Sequence, residues 1–266
     1  GLVLRSVGRP GAYGQRLALY HHEAPEPPLR AWELELPIHA TAIAHAQYRA
    51  ILREIVDDYG VDSIIVSSLI GHSLDALRAP LPTLLVAHDH YPFCVAIFAH
   101  HGSECRSCDL RRLRDCMENN PGHRFFQGVD AGDWLALRRA FVETVLGRGI
   151  AIVAPSPSVA ARWRALMPEL AAARIETIAH GIELPPAPPF EPPAAGRLRL
   201  VKIGRLSMEK GGTMLEALLP QITRFADLTL IGCGDEAAAR LARTPGVTTI
   251  AAFAAPELPA LIARAA

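Results

Sequence analysis

The loop at residues 204–211 places two cations and two glycines between a predicted strand and a predicted helix. In an open parallel sheet, ligands bind beyond the carboxyl ends of the strands, and a helix N-terminus offers N–H groups and partial positive charge to a phosphate. A guanidinium binds two phosphate oxygens at once, whereas an ammonium acts as a point charge. The pattern favours a diphosphate site, with an ordinary strand, turn and helix carrying solvated charges as the alternative. Its predicted binding residues are Gly204, Arg205, Lys210 and Gly211.

A second polar group follows the apolar run at residues 83–87 and contains His88 and Asp89. Titratable side chains at the carboxyl end of a strand lie where the cleft of an α/β protein opens. We therefore predict that His88, with Asp89 beside it, is catalytic. A histidine that only bonds a nearby backbone group is the alternative.

Four of the five cysteines fall within 23 residues, at Cys94, Cys105, Cys108 and Cys116. Thiolates on loops can complete a tetrahedral zinc site, although only Cys105 and Cys108 form the close pair that is typical of zinc sites. Structural zinc on these four residues, free thiols and a redox pair all remain open. A histidine could replace one thiol, the candidates being His100, His101 and His123.

Ser73 lies in the stretch Gly71-His72-Ser73-Leu74-Asp75, which is close to the Gly-x-Ser-x-Gly nucleophile elbow of α/β hydrolases. The last glycine of that pattern is replaced by Asp75, although the position must be small for close packing. No convincing order of an acid and then a histidine follows Ser73. A hydrolase is therefore the least favoured alternative.

The apolar runs alternate with helical patterns, which predicts parallel sheets covered on both faces. Strands are predicted at residues 63–66, 83–87, 150–153, 174–178, 199–203, 228–231 and 247–250, and helices at 41–59, 134–146, 158–166, 213–219, 235–242 and 257–265. Residues 1–37 hold only short apolar patches. The proline-rich run after residue 181 predicts an N-terminal domain at 1–183, a linker at 184–196 and a second domain at 197–266.

Composition and charge narrow the class of protein. Half of the 266 residues are hydrophobic, and 27 basic residues balance 27 acidic ones, so we expect a globular protein without a nucleic-acid partner. No apolar run approaches the roughly 20 residues of a transmembrane helix, and the first residues lack the features of a secretion signal. An odd total of five cysteines, four of them clustered, favours a reducing compartment. We expect a cytoplasmic protein, with peripheral contact to the inner membrane face left open.

Three motifs resemble those of the retaining GT-B glycosyltransferases known as family four, or glycosyl transferases group 1. They are the diphosphate loop at residues 204–211, the stretch Ile178-Ala179-His180-Gly181-Ile182-Glu183 and the turn Gly232-Cys233-Gly234. His180 replaces the asparagine that is usual in the family. The resemblance implies two doubly wound, parallel-sheet, Rossmann-like domains facing a cleft. It also implies an incomplete second domain, because the family's acidic Glu-x7-Glu segment would lie beyond Ala266.

The same resemblance implies sugar transfer with retention, from a UDP-, GDP- or ADP-linked donor to a glycan or lipid-linked acceptor. Arg205 and Lys210 would neutralise the donor diphosphate without an essential metal, so no catalytic cofactor is expected. His88 matches the family's histidine at the sugar-transfer cleft. Without the acidic segment this chain could be inactive, so a non-catalytic sugar-nucleotide-binding or partner-binding domain is the main alternative.

Overall fold

The computed structural model describes residues 1–8, 14–24, 26–123, 125–181 and 196–265. The chain divides into two compact units, Gly1–Glu183 (unit 1) and Leu184–Ala266 (unit 2). Both units contain helices and parallel sheets, which confirms the predicted α/β class. The predicted linker lies outside the described residues except for its last residue, and so do Ile182 and Glu183 of the 178–183 motif.

Unit 1 begins with an antiparallel sheet formed by β1 (Leu2–Val7), β2 (Arg16–His21) and β3 (Arg30–Glu33). The middle strand β2 pairs with both neighbours, and its Leu17 and Leu19 are almost completely buried. The sequence pattern predicts no strand before residue 37. Short strands between glycine-rich and proline-rich connections give little periodic signal, and each depends on pairing with its neighbours.

The remaining strands of unit 1 form a four-stranded parallel sheet and two short pairs. They are β4 (Thr41–Ala42), β5 (Ile64–Val66), β6 (His72–Ser73), β7 (Thr83–Val86), β8 (His100–His101), β9 (Ser103–Glu104), β10 (Ala151–Ala154) and β11 (Ile175–Thr177). The sheet has the order β11, β10, β7, β5, with every pair parallel. Its four strands overlap the four that the sequence predicts. Strands β4 and β6 form a short parallel pair, and β8 and β9 form a hairpin.

Helices pack against this sheet and supply part of the core of unit 1. They are α1 (Ala46–Tyr59), α2 (Asp75–Arg78), α3 (Leu110–Asn119), α4 (Ala131–Arg148) and α5 (Pro157–Leu166), followed by a 3-10 segment at Pro168–Ala172. Helix α4 begins where the Asp130 carboxylate accepts the N–H groups of Gly132 and Asp133, and it ends at Gly149. The largest fully buried side chains include Trp134 on α4 and Trp163 on α5.

Unit 2 contains three parallel strands in the order β12 (Leu198–Ile203), β13 (Ala226–Ile231) and β14 (Val247–Ile250). Its helices are α6 (Gly212–Ile222), α7 (Asp235–Leu241) and α8 (Leu258–Ala265), with 3-10 segments at Met208–Lys210 and Ala255–Glu257. A small core forms between the sheet and its helices, with Leu230 and Cys233 nearly or fully buried. All three strands overlap their predicted positions.

Strands follow chain order across both parallel sheets. A doubly wound sheet reverses its strand order at one point, and the described strands contain no such reversal. The Rossmann-like character is thus compatible with both units, while double winding and the GT-B arrangement stay predictions. No described helix combines the length and the apolar character that crossing a bilayer requires.

Candidate functional site

The carboxyl edge of the parallel sheet in unit 1 carries three polar side chains, of which the middle one contacts the other two; we call them the imidazole edge. Ser67 follows β5, His88 comes shortly after β7, and His180 comes shortly after β11. His88 Nε2 lies 2.9 Å from Ser67 Oγ. The rings of His88 and His180 are stacked, with centroids 5.3 Å apart and planes inclined by 16°. All three residues are exposed, so this imidazole edge is open to ligands.

His88 is the predicted catalytic residue, whereas Ser67 has no predicted role. The signal that finds Ser67 is its position, because it follows β5 much as His88 follows β7. His180 stands where the related family has asparagine, and it supplies a second ring to the imidazole edge. An imidazole can hydrogen-bond or exchange a proton near neutral pH. The edge can therefore orient a hydroxyl group and accept its proton.

Asp89, the second predicted catalytic residue, has a more enclosed position than His88. Its Oδ1 accepts the Tyr91 N–H at 2.8 Å, and its carbonyl oxygen accepts the Trp163 Nε1–H at 2.7 Å. Burial raises the pKa of Asp89, partly offset by the Tyr91 N–H and by His88. The residue lines a small cavity of about 20 Å³ with Ser67 and Ser68. Through these contacts Asp89 stabilises the loop that carries His88.

Ser73 does not have the surroundings of a nucleophile. The side chain is completely buried, and its hydroxyl donates to Asp75 Oδ2 at 2.8 Å. The other carboxylate oxygen of Asp75 accepts from Arg49 Nε at 3.1 Å. The neighbouring His72 bonds to the Tyr48 hydroxyl through Nδ1 at 3.0 Å. Ser73 thus fixes the turn before α2, and the hydrolase alternative gains no support.

The predicted diphosphate loop of unit 2 connects β12 to α6 through a tight turn. Gly204 and Gly211 have positive φ angles of 96° and 74°, which side chains rarely adopt. Gly212 opens α6, and a Cβ there would lie 2.8 Å from the Ser207 carbonyl oxygen. The Gly212 N–H donates to that same oxygen at 2.8 Å. Glycine is therefore required for this loop to keep its path.

Arg205 of this loop lies against the turn that follows β13. A Cβ added to Gly234 would be 3.8 Å from both Cγ and Nε of Arg205. Together with Asp235 and Glu236 at the start of α7, these two residues line a cavity of about 260 Å³. We call it the Arg205 cavity. Among the side chains that the structure describes, no carboxylate lies within ion-pair distance of Arg205 or Lys210. Both cations are thus available to an anionic ligand.

Lys202 has no predicted role, yet it stabilises the same loop. Its Nζ donates to the carbonyl oxygens of Gly204 at 2.5 Å and Arg205 at 2.8 Å. Burial lowers the pKa of Lys202, and the nearby charge of Lys210 lowers it further. Lys202 adds a third cation close to Arg205 and Lys210. A lysine within the apolar strand at residues 200–203 was the available signal.

The four clustered cysteines line one cavity of about 10 Å³; they are Cys94, Cys105, Cys108 and Cys116. Arg112 and Arg138 line the same cavity. All are free, and burial raises the pKa of Cys94 to about 11 and also raises that of Cys116. Within the described ranges, no three histidine, cysteine, aspartate or glutamate groups stand ready to hold a metal ion. The four cysteines thus line one cavity, while zinc binding stays a prediction.

Each unit thus presents its own group of polar side chains at the ends of its parallel strands. Unit 1 presents a serine hydroxyl and two imidazoles, and unit 2 presents an arginine and a lysine beside glycines. No protein-family model matches this chain, and no curated protein matches it significantly.

Proposed function

We propose that this chain is a retaining glycosyltransferase of the GT-B type that uses a UDP-, GDP- or ADP-linked sugar donor. Unit 2 binds the donor, and unit 1 binds a glycan or lipid-linked acceptor. The observation that carries the proposal is the Arg205 cavity, where an unpaired guanidinium, a glycine turn and two carboxylates share one space of about 260 Å³. A nucleotide sugar combines phosphates with hydroxyl groups and so fits both kinds of protein group.

The cations account for the diphosphate half of the donor. Arg205 can bind two phosphate oxygens, and Lys210 and Lys202 add positive charge nearby. As the bond to the sugar breaks, negative charge grows on the leaving nucleotide, so these cations stabilise the transition state more than the ground state. The carboxylates of Asp235 and Glu236 can accept hydrogen bonds from donor hydroxyls. In this proposal the protein supplies the charge that a metal ion would otherwise supply.

The imidazole edge accounts for the acceptor. Ser67 Oγ and His88 Nε2 already form a hydrogen bond of 2.9 Å, so an acceptor hydroxyl can replace one partner at little geometric cost. His88 then orients the hydroxyl and can accept its proton. Asp89 holds the loop through Tyr91 and needs no direct contact with the sugar.

A non-catalytic sugar-nucleotide-binding protein is the second candidate. It is favoured by the fact that the Arg205 cavity is formed by residues of unit 2 alone. Both candidates predict donor binding, but only the first predicts transfer. Incubating the chain with a bound donor and a panel of glycan acceptors, and measuring nucleotide release, separates them.

Calorimetric titration with UDP-, GDP- and ADP-sugars tests donor binding. We expect one nucleotide class to bind and Arg205→Ala to weaken that binding. Arg199→Ala is the matched control, because it removes an exposed cation from the opposite end of β12. Absence of binding for every class, or equal binding by Arg205→Ala and wild type, would contradict the proposal.

A further inference from the structure

The four clustered cysteines come from successive segments of one 23-residue stretch and line one small cavity. Cys94 lies in the loop after β7, Cys105 directly follows β9, Cys108 precedes α3, and Cys116 lies within α3. Three are buried, and Cys108 is partly exposed. The cavity that they line measures about 10 Å³. A space of roughly 10–15 Å³ holds one water-sized sphere, so it suits a single ion and not a multi-iron cluster.

Each of the four sulfur atoms accepts a hydrogen bond from an N–H group. The donors are Ala99 N–H to Cys94 at 3.3 Å, Arg112 Nη2–H to Cys105 at 3.6 Å, Arg138 Nη2–H to Cys108 at 3.2 Å and Asn120 Nδ2–H to Cys116 at 3.1 Å. A neutral thiol is a weak acceptor, whereas a metal-bound thiolate carries negative charge and is stabilised by such donors. Four donors for four sulfurs therefore match thiolates better than free thiols.

The charge around the cavity points the same way. Arg138 is only 8% exposed, and its Nε has no hydrogen-bond partner. Its guanidinium lies 4.3 Å from the Phe93 ring centroid, and no described carboxylate is within ion-pair distance. A buried cation without a counter-charge is costly. Zinc bound by four thiolates has a net charge of minus two, which the guanidinium groups of Arg112 and Arg138 would balance.

The backbone between Cys94 and Cys105 has an unusual conformation that brings these two cysteines together. Ile97 and Ala99 have φ angles of 68° and 50°, although neither is glycine. This conformation is unusual for a β-branched residue and persists only where the surroundings require it. Ala99 donates its N–H to Cys94 Sγ and accepts the Cys105 N–H at 2.9 Å. The turn thus ties the two cysteines together.

We propose that Cys94, Cys105, Cys108 and Cys116 bind a single zinc ion that holds the segment after His88 in place. The described side chains do not stand in metal-binding geometry, so the four sulfurs move inward around the ion and release their protons to solvent. Four thiolates complete a tetrahedral site, so His101, whose Nε2 bonds to Asp115 Oδ2 at 2.9 Å, is not needed as a ligand. The site is structural and does not depend on the function proposed above.

Metal analysis of the full chain, purified without chelator from zinc-supplemented medium, tests the proposal. We expect one zinc per chain in the wild type. Cys108→Ala should lose the zinc, and this partly exposed position leaves little cavity in the core. Cys233→Ala, which removes the fifth cysteine from unit 2, should keep it. Cobalt(II) should give a thiolate-to-metal charge-transfer band in the wild type and in Cys233→Ala, and not in Cys108→Ala.

Chelation supplies a measurement that needs no variant. Removing the ion from the wild type should lower its thermal midpoint, and adding zinc back should restore it. The proposal is overturned by a wild type without zinc and without the cobalt band, by equal zinc content in Cys108→Ala, or by a midpoint that ignores chelator and zinc. Iron with acid-labile sulfide in place of zinc would equally overturn it.

Discussion

The carboxyl ends of the parallel strands carry polar side chains in both units, but the two edges differ in the kind of group. In unit 1, His88 is hydrogen-bonded to Ser67 and stacked on His180, and all three side chains are exposed. In unit 2, Arg205 and Lys210 are permanent cations without an acidic partner among the described side chains, and glycines keep the loop open. We propose that the same topological position serves hydroxyl chemistry in one unit and anion binding in the other.

The difference teaches that the strand ends determine where a ligand binds, whereas the residues placed there determine which ligand it is. In the exposed imidazole edge, Ser67 and His88 share one hydrogen bond, which a ligand hydroxyl can replace. Among the described side chains of unit 2, Arg205 and Lys210 have no acidic partner within ion-pair distance, so an anionic ligand would supply their counter-charge. We therefore propose that the donor binds unit 2 and the acceptor binds unit 1.

Among changes at the two edges, the largest effect on stability is expected at the glycines of unit 2. In Gly212→Ala the new Cβ would lie 2.8 Å from the Ser207 carbonyl oxygen, which cannot rotate away. We expect a loss of about 3 kcal/mol in unfolding free energy. Gly147→Ala, at a helical glycine in unit 1 with no atom within 4 Å of the added Cβ, should cost nothing. Urea unfolding measures both, and equal stabilities would show that the loop is not held by its glycines.

The next effect is a pH dependence of stability that arises from His72 in unit 1. Burial lowers the pKa of His72 from 6.5 to about 4, so the folded protein keeps this imidazole neutral. The stabilisation is complete above the unfolded pKa and is lost as the pH falls towards the folded value. Because the side chain is partly exposed, solvent screening reduces the loss to about 2 kcal/mol. Urea unfolding across this pH range should show less pH dependence for His72→Gln than for wild type, and identical profiles would contradict the account.

A smaller effect of opposite sign is expected at Asp89, whose pKa is raised by burial. The unfolded carboxyl ionises first as the pH rises, so this residue's contribution to stability falls as the pH rises through its folded pKa. Asp89→Asn keeps an oxygen to accept the Tyr91 N–H and removes the charge. The variant should gain stability over wild type as the pH rises from acidic to neutral. A constant difference between the two unfolding profiles would show that burial does not destabilise the ionised Asp89 carboxylate.

The smallest effect is expected at His88, because its side chain is exposed. His88→Ala should change the unfolding free energy by less than about 0.5 kcal/mol. By contrast, Trp163→Ala removes a side chain that is 1% exposed and should cost about 3–5 kcal/mol. Thermal and urea unfolding compare the two variants. A large loss at His88 would mean that the residue serves the fold and is not free for a ligand.

Much of the fold could be predicted, because buried parallel strands leave continuous apolar runs in the sequence. The predicted strand at residues 247–250 matches β14, and the predicted strand at 83–87 is one residue longer than β7. The antiparallel sheet β1–β3 could not be predicted, since its strands are short and depend on partners distant in the chain. Helix α1 begins at Ala46 and not at Thr41, because His45 accepts the Tyr48 N–H and caps it.

The candidate site was predicted in its positions more than in its contacts. His88 and Arg205 are found at strand ends, as the alternation of strands and helices implies. The stacking of His88 on His180 joins residues 92 positions apart, and no local pattern encodes it. The same holds for Arg138, which comes from α4 to the cysteine cavity and donates to Cys108. Sequence spacing identifies candidate groups, whereas tertiary packing selects their partners.

The most direct test of the division between the two edges is donor affinity in variants of each. Calorimetry would measure the binding of the preferred nucleotide sugar to wild type, Arg205→Ala and His88→Ala. Loss of a charge-assisted contact is worth about 1.5–3 kcal/mol, so Arg205→Ala should bind roughly ten- to hundredfold more weakly. His88→Ala should bind within about twofold of wild type. Equal weakening in both variants, or weakening in His88→Ala alone, would contradict the assignment of the donor to unit 2.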